Sequence, residues 1–183
     1  PQFTFQKNKT ADYNATDTIV LTITANELVS MIEIDGIEQN KDLTSWNIEG
    51  KNETGTHEIK LKAADFAGNE QAEFTVGTYR VDADYPNAVI SAPTPDRISG
   101  TGSTVITVNG FNKPVASVKL NGTECTGEGT RTCTFEAPFG NGDSVEVLSI
   151  QLVDFAGNIT NLDAGTVYVD RTPPQIAGDA TIV

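Results

Sequence analysis

The hexapeptide Ala64-Asp65-Phe66-Ala67-Gly68-Asn69 returns 89 positions later as Val153-Asp154-Phe155-Ala156-Gly157-Asn158. Self-similarity at a fixed period is the first thing to look for, because it sets the architecture before any strand is placed. Working outward, Gly77-Thr78-Tyr79-Arg80-Val81-Asp82 matches Gly165-Thr166-Val167-Tyr168-Val169-Asp170 at an offset of 88. Ile32-Glu33-Ile34-Asp35-Gly36 matches Val118-Lys119-Leu120-Asn121-Gly122 at 86, and Val20-Leu21-Thr22-Ile23 matches Val105-Ile106-Thr107-Val108 at 85. The slow drift is what small insertions in loops between fixed strands produce. Pro1-Gln2-Phe3, Pro86-Asn87-Ala88 and Pro174-Gln175-Ile176 mark the same place in successive copies. The expected organisation is one repeat over 1–85, a second over 86–173, and the first strand of a third, or a terminal strand, over 174–183. The linker near Asp84–Pro86 has no Gly/Ser tract and should be stiff.

Each copy reads as strands. Ile19, Leu21 and Ile23 alternate with more polar neighbours, as do Ile32/Ile34, Ile59/Leu61/Ala63, Val118/Leu120 and Leu148/Ile150/Leu152. That is the period-2 pattern of half-buried strands. Asp35-Gly36, Asn121-Gly122 and Asn141-Gly142 supply turns, because Gly and Asn tolerate positive φ. No window carries a 3.6-residue apolar stripe. About seven short strands per copy without helices point to an all-β chain of two tandem sandwiches joined end to end.

Composition narrows the function classes. The chain has 183 residues, with 12 Lys+Arg against 25 Asp+Glu and a net charge of −13. Such a balance disfavours nucleic acid and anionic membranes as partners. With 38% hydrophobic residues there is material for a packed core, and no apolar run is long enough for a transmembrane helix. No targeting segment is expected within it.

Strand–Asp-x-Ala-Gly-Asn–strand, followed by Val169-Asp170-Arg171-Thr172-Pro173-Pro174, resembles the tandem bacterial Ig-like repeats of surface adhesins and other extracellular proteins. The likeness spans both copies. It implies secretion or a cell-surface location, Ig-like sandwiches stacked with neighbouring repeats of the same chain and, in some members, calcium between domains. Two features depart from the pattern: the first linker reads Asp82-Ala83-Asp84-Tyr85-Pro86, and His57 and Glu146 stand where many such repeats carry a corner Tyr.

The candidate site residues follow. Asp65 and Asn69, with Asp82 and Asp84 in the linker, form an oxygen-only set suited to Ca2+, which takes six to eight oxygen ligands. Asp154, Asn158 and Asp170 repeat it with less charge, since Thr172 stands where Asp84 would be. The structural alternative is that each Asp-Phe-Ala-Gly-Asn segment is simply a tight, capped turn. Cys125 and Cys133 flank Gly127 and Gly129, which reads as a disulfide across a hairpin in an oxidising compartment. Trp46 and Phe135 are assigned as matching core anchors, and Tyr79 and Tyr168 are placed beside the linkers. Catalysis has little footing: His57 is the lone histidine, and Gly100–Thr104 lacks the Lys and helix of a phosphate loop. The expectation is a non-enzymatic spacer of a secreted or surface protein. The alternatives are a carbohydrate-binding accessory region, with a glycan or surface receptor as partner, and a filament subunit assembled by strand addition through Ala180–Val183.

Overall fold

The structure is a computed structural model describing residues 1–175; the strand expected at the start of a third repeat, with Ala180–Val183, lies outside the described residues. The described chain is all-β, with fifteen strands and no helix, and therefore no helix able to cross a membrane. It divides into two compact units: Pro1–Tyr85 together with Phe155–Asn158, and Pro86–Asp154 together with the chain from Ile159.

In the first unit the strands are β1 (Phe3–Lys7), β2 (Val20–Ala25), β3 (Val29–Ile34), β4 (Ile37–Glu38), β5 (Ser45–Glu49), β6 (Gly55–Asp65) and β7 (Glu70–Val81). They form two sheets, ordered β1-β2-β5 and β4-β3-β6-β7. Alternation sends Leu21, Ile23, Ile32, Ile34, Ile59, Leu61 and Val81 inward, where all are buried in one core with Tyr13, Trp46 and Tyr79. Asp35 and Gly36 both take positive φ between β3 and β4, the conformation that a two-residue hairpin demands.

The second unit holds β8 (Val89–Ile90), β9 (Arg97–Ser99), β10 (Ser103–Asn109), β11 (Val115–Leu120), β12 (Thr123–Glu124), β13 (Arg131–Glu136), β14 (Ser144–Asp154) and β15 (Ile159–Asp170). Its sheets are ordered β13-β10-β8 and β12-β11-β14-β15-β9, the last pair parallel. Its core gathers Ile106, Val108, Val118, Leu120, Leu148, Ile150, Leu152, Val167 and both cysteines.

The two units share one register. Leu21 faces Ile48 as Ile106 faces Cys133, and Ile34 faces Leu61 as Leu120 faces Ile150. This pairing corrects one sequence equivalence. Trp46 faces Ile23, and the residue facing the matching Val108 is Arg131; Phe135 faces Thr104. Trp46 is a buried anchor whose indole Nε1 donates to the Asn40 carbonyl at 2.7 Å, whereas Phe135 only flanks its core. Tyr79 and Tyr168 also differ. They are one position apart in the repeat, and a one-residue step along a strand changes the face. Tyr79 is therefore buried, with His57 stacked on its ring at 4.9 Å, and Tyr168 is exposed.

Candidate functional site

The long hairpins β6–β7 and β14–β15 each end in an Asp-Phe-Ala-Gly-Asn turn. Gly68 and Gly157 occupy equivalent positions at φ 85° and 94°, a region where a Cβ would be strained. In the first turn Asp65 is the organiser. One carboxylate oxygen accepts the backbone N–H groups of Ala67 and Asn69, both at 2.9 Å, and the other accepts Nδ2 of Asn69 at 2.7 Å. The Asn69 side chain, followed by its backbone N–H, holds the Asp65 carboxyl below the ordinary carboxylate range.

The second turn has the same sequence. Asp154, at the end of β14, is buried and meets Lys113 Nζ at 2.7 Å. Asn158 is only 3% exposed. It belongs to the first unit, where its Oδ1 accepts the N–H of Ala15 at 3.0 Å and its Nδ2 donates to the carbonyl of Asp82 at 2.6 Å. Lys9 Nζ donates to the carbonyl of Ala156 at 3.3 Å. A side-chain amide that accepts from one segment and donates to another does what a peptide group does in a sheet. Here it continues the parallel contact of Tyr13 with Val81, whose own bonds run from Tyr13 N–H to Arg80 and from Asp82 N–H to Tyr13. The Asn158 amide is one further rung of that ladder.

The expected convergence of Asp65 and Asn69 with Asp82 and Asp84 does not occur. Gly55 pairs with Val81 while Ala64 pairs with Glu70, so the turn and the linker lie at opposite ends of one hairpin. Eleven steps at ~3.3 Å separate them by on the order of 35 Å. The same topology parts Asp154 from Asp170, because Ser144 pairs with Val169 and Val153 with Ile159. Asp82 instead accepts the N–H of Asp84 at 3.3 Å, and Asp170 accepts that of Thr172 at 3.1 Å with Arg97 at 4.0 Å. Among the described residues no group of three or more acidic, His or Cys side chains could hold a metal ion. The Asp65 carboxylate accepts N–H donors of its own turn, and the Asp154 carboxylate meets the Lys113 ammonium.

Cys125 and Cys133 form a disulfide, with Gly127 and Gly129 at positive φ in the loop between them. The bond points to a non-cytoplasmic environment.

At the end of the second unit, Asp143 accepts the N–H of Arg171 at 2.7 Å and both the N–H and hydroxyl of Thr172. The Arg171 backbone N–H is the foremost cause of a lowered Asp143 carboxyl. The Arg171 guanidinium reaches back to the carbonyls of Gly142 and Pro138. It braces a loop that leaves Phe139 fully in solvent.

The outward face of β14–β15 has no precedent in the first unit. Val145 and Val147 are exposed with Tyr168, over whose ring Arg97 lies at 5.4 Å. The matching residues of the first unit are Thr56, Glu58 and Arg80. Beside Tyr168 lies a cleft of about 300 Å3 whose lining includes Arg97, Asp143 and Asp170. The signal in the sequence is period-2 alternation, which puts Val145 and Val147 on the face opposite Leu148 and Ile150. No protein-family model matches the chain, and no curated protein matches it in sequence.

Proposed function

We propose that the chain is a non-enzymatic structural module of a secreted or cell-surface protein, built as two tandem Ig-like sandwiches that serve as a spacer. The carrying observation is that one hydrogen-bond register is built twice, each time around its own closed core. Repetition of a complete folding unit adds length and mechanical resistance rather than a new active centre. The disulfide supports the extracellular setting. Single-molecule stretching tests the reading: a spacer resists as discrete modules, and a chain that extends without force peaks would overturn it.

A carbohydrate-binding role is the second reading, favoured by the exposed Tyr168 beside its cleft. Aromatic faces with flanking polar groups are how small ligands are held on such surfaces. A glycan array probed with the isolated chain separates the two. Binding lost in Tyr168→Ala would move the assignment to the second reading.

A further inference from the structure

We infer that the edge of β13 in the second unit is a receptor for an extended peptide of alternating basic and apolar residues, which joins the β13-β10-β8 sheet as a further strand. The direction of the backbone bonds decides which groups are open. Val105 exchanges both of its backbone bonds with Thr94, and Thr107 accepts the N–H of Ser91, so both residues turn away from β13. Their partners across the β10–β13 ladder are Thr134 and Thr132. The N–H and carbonyl groups of those two therefore point the other way, out of the sheet edge. Thr132 shows it directly: its N–H donates to Thr126 at 2.7 Å and its carbonyl accepts from Thr126 at 2.9 Å. Glu136, two residues beyond Thr134, shares the outward direction.

Thr126 is thus the first rung of a strand that its own chain does not continue. Extending the antiparallel count would set Glu124 against Thr134, but Glu124 pairs with Lys119 in the other sheet. Where the chain peels away, a groove of about 520 Å3 lies between β12 and β13, its lining including Asn121, Glu124, Thr134, Phe135 and Glu136. The backbone groups of Thr134 and Glu136 have no partner there among the described residues. Cys125 and Cys133, the neighbours of Thr126 and Thr132, tie the closed end of the groove together. The site is therefore held open in advance, which lowers the ordering cost of binding. Edges that must stay single are commonly blunted by Lys, Pro or a bulge. Thr132–Glu136 has none of these, and its register with β10 is unbroken.

The side chains select the occupant. Thr134 and Glu136 are exposed on the outer face, while Phe135 between them is half-buried. Residues of an added strand that face Thr134 and Glu136 lie beside a hydroxyl and a carboxylate, and the residue between them turns inward toward Phe135. Glu124 lines the same groove, and no Lys, Arg or His is among the lining residues. Opposite charges across a ladder attract and like charges repel, so basic residues suit the outer positions and an aliphatic one the inner. Main-chain bonds supply affinity and the alternating side chains supply selectivity, the strand-addition mode of peptide recognition.

Amide NMR spectra of the isotope-labelled chain test the proposal, with the capped hexapeptide Lys-Val-Lys-Val-Lys-Val added to millimolar concentration. Saturable shifts of the Thr134 and Glu136 amides are expected. The same peptide N-methylated at each Lys, which cannot donate to the ladder, should leave them unmoved, as should Glu-Val-Glu-Val-Glu-Val. Glu136→Lys, an exposed change whose own spectrum reports that it is folded, should weaken the Lys-Val peptide roughly fivefold. A neutral oligosaccharide, cellotriose, should give no shift at these amides. Absent shifts with the Lys-Val peptide, equal binding of either control peptide, unchanged affinity in Glu136→Lys, or shifts with cellotriose would overturn the proposal.

Discussion

Opening the Cys125–Cys133 bridge should destabilise the second unit by an amount its loop length sets. The bridged residues are 8 apart in sequence. In the chain-entropy model, closing a loop of that size removes about 8 cal/mol/K from the unfolded ensemble, or ~2.5 kcal/mol at 25 °C. Two perturbations separate the cross-link from packing. Reducing the wild-type chain keeps both sulfurs in the core, where Cys133 is 1% and Cys125 6% exposed. The double variant Cys125→Ala, Cys133→Ala removes the sulfurs as well and adds a cavity penalty to the same loss. Hydrogen exchange is the assay, read at the slowest amides of β10 and β13, which exchange only on global opening. A loss of ~2.5 kcal/mol corresponds to roughly seventyfold faster exchange there, since 1.4 kcal/mol is tenfold. If the reduced chain exchanges within about threefold of the oxidised one, below ~0.7 kcal/mol, the loop-closure account is refuted.

Other outcomes follow from the turns. Asn158→Ala should cost about 1–3 kcal/mol, because it removes the bonds to the Ala15 N–H and the Asp82 carbonyl from a buried site, while Asn69→Ala should cost clearly less; urea unfolding followed by Trp46 fluorescence, the single Trp lying in the first unit, compares them. Lys113→Met leaves the Asp154 carboxylate without its ammonium in a buried site and should cost ~3–5 kcal/mol, with part recovered in the double variant Lys113→Met, Asp154→Leu, both read by thermal melting. Asp65 and Asp143 have lowered carboxyl pKa values, so each contributes stability that is present above the ordinary carboxylate range near 3.9 and is lost as pH falls through the lowered value. Asp65→Asn should therefore flatten acid unfolding on the low-pH side, and an unchanged acid profile would contradict the turn geometry.

Local chemistry carried much of the fold. Period-2 alternation placed Leu21, Ile34, Leu61, Leu120 and Ile150 on inner faces, and Asp35-Gly36 and Asn121-Gly122 marked tight hairpins whose residues do take positive φ. The glycines between Cys125 and Cys133 likewise announced a loop that a bridge could close. What sequence proximity could not carry was distance along a hairpin. Asp82 is only thirteen residues from Asn69, yet an extended strand turns that spacing into the length of the unit. The differing fates of Asn69 and Asn158 were equally invisible, because their local sequences are the same and only the surrounding backbone distinguishes them. The equivalence of Trp46 with Phe135 failed because the second unit carries extra residues between β13 and β14, so the spacing of the later strands does not hold for β5 and β13.

Stretching the chain from its ends, oxidised and then reduced, tests the tandem-module account most directly. Two separate unfolding events are predicted, each releasing on the order of 300 Å for some 85 residues at ~3.6 Å per residue. With the bridge intact, the second unit should release roughly 25–30 Å less, because 8 residue steps stay locked behind Cys125–Cys133, and reductant should restore that length. A single unfolding event, smooth extension without a force peak, or two events whose lengths ignore the reductant would contradict it.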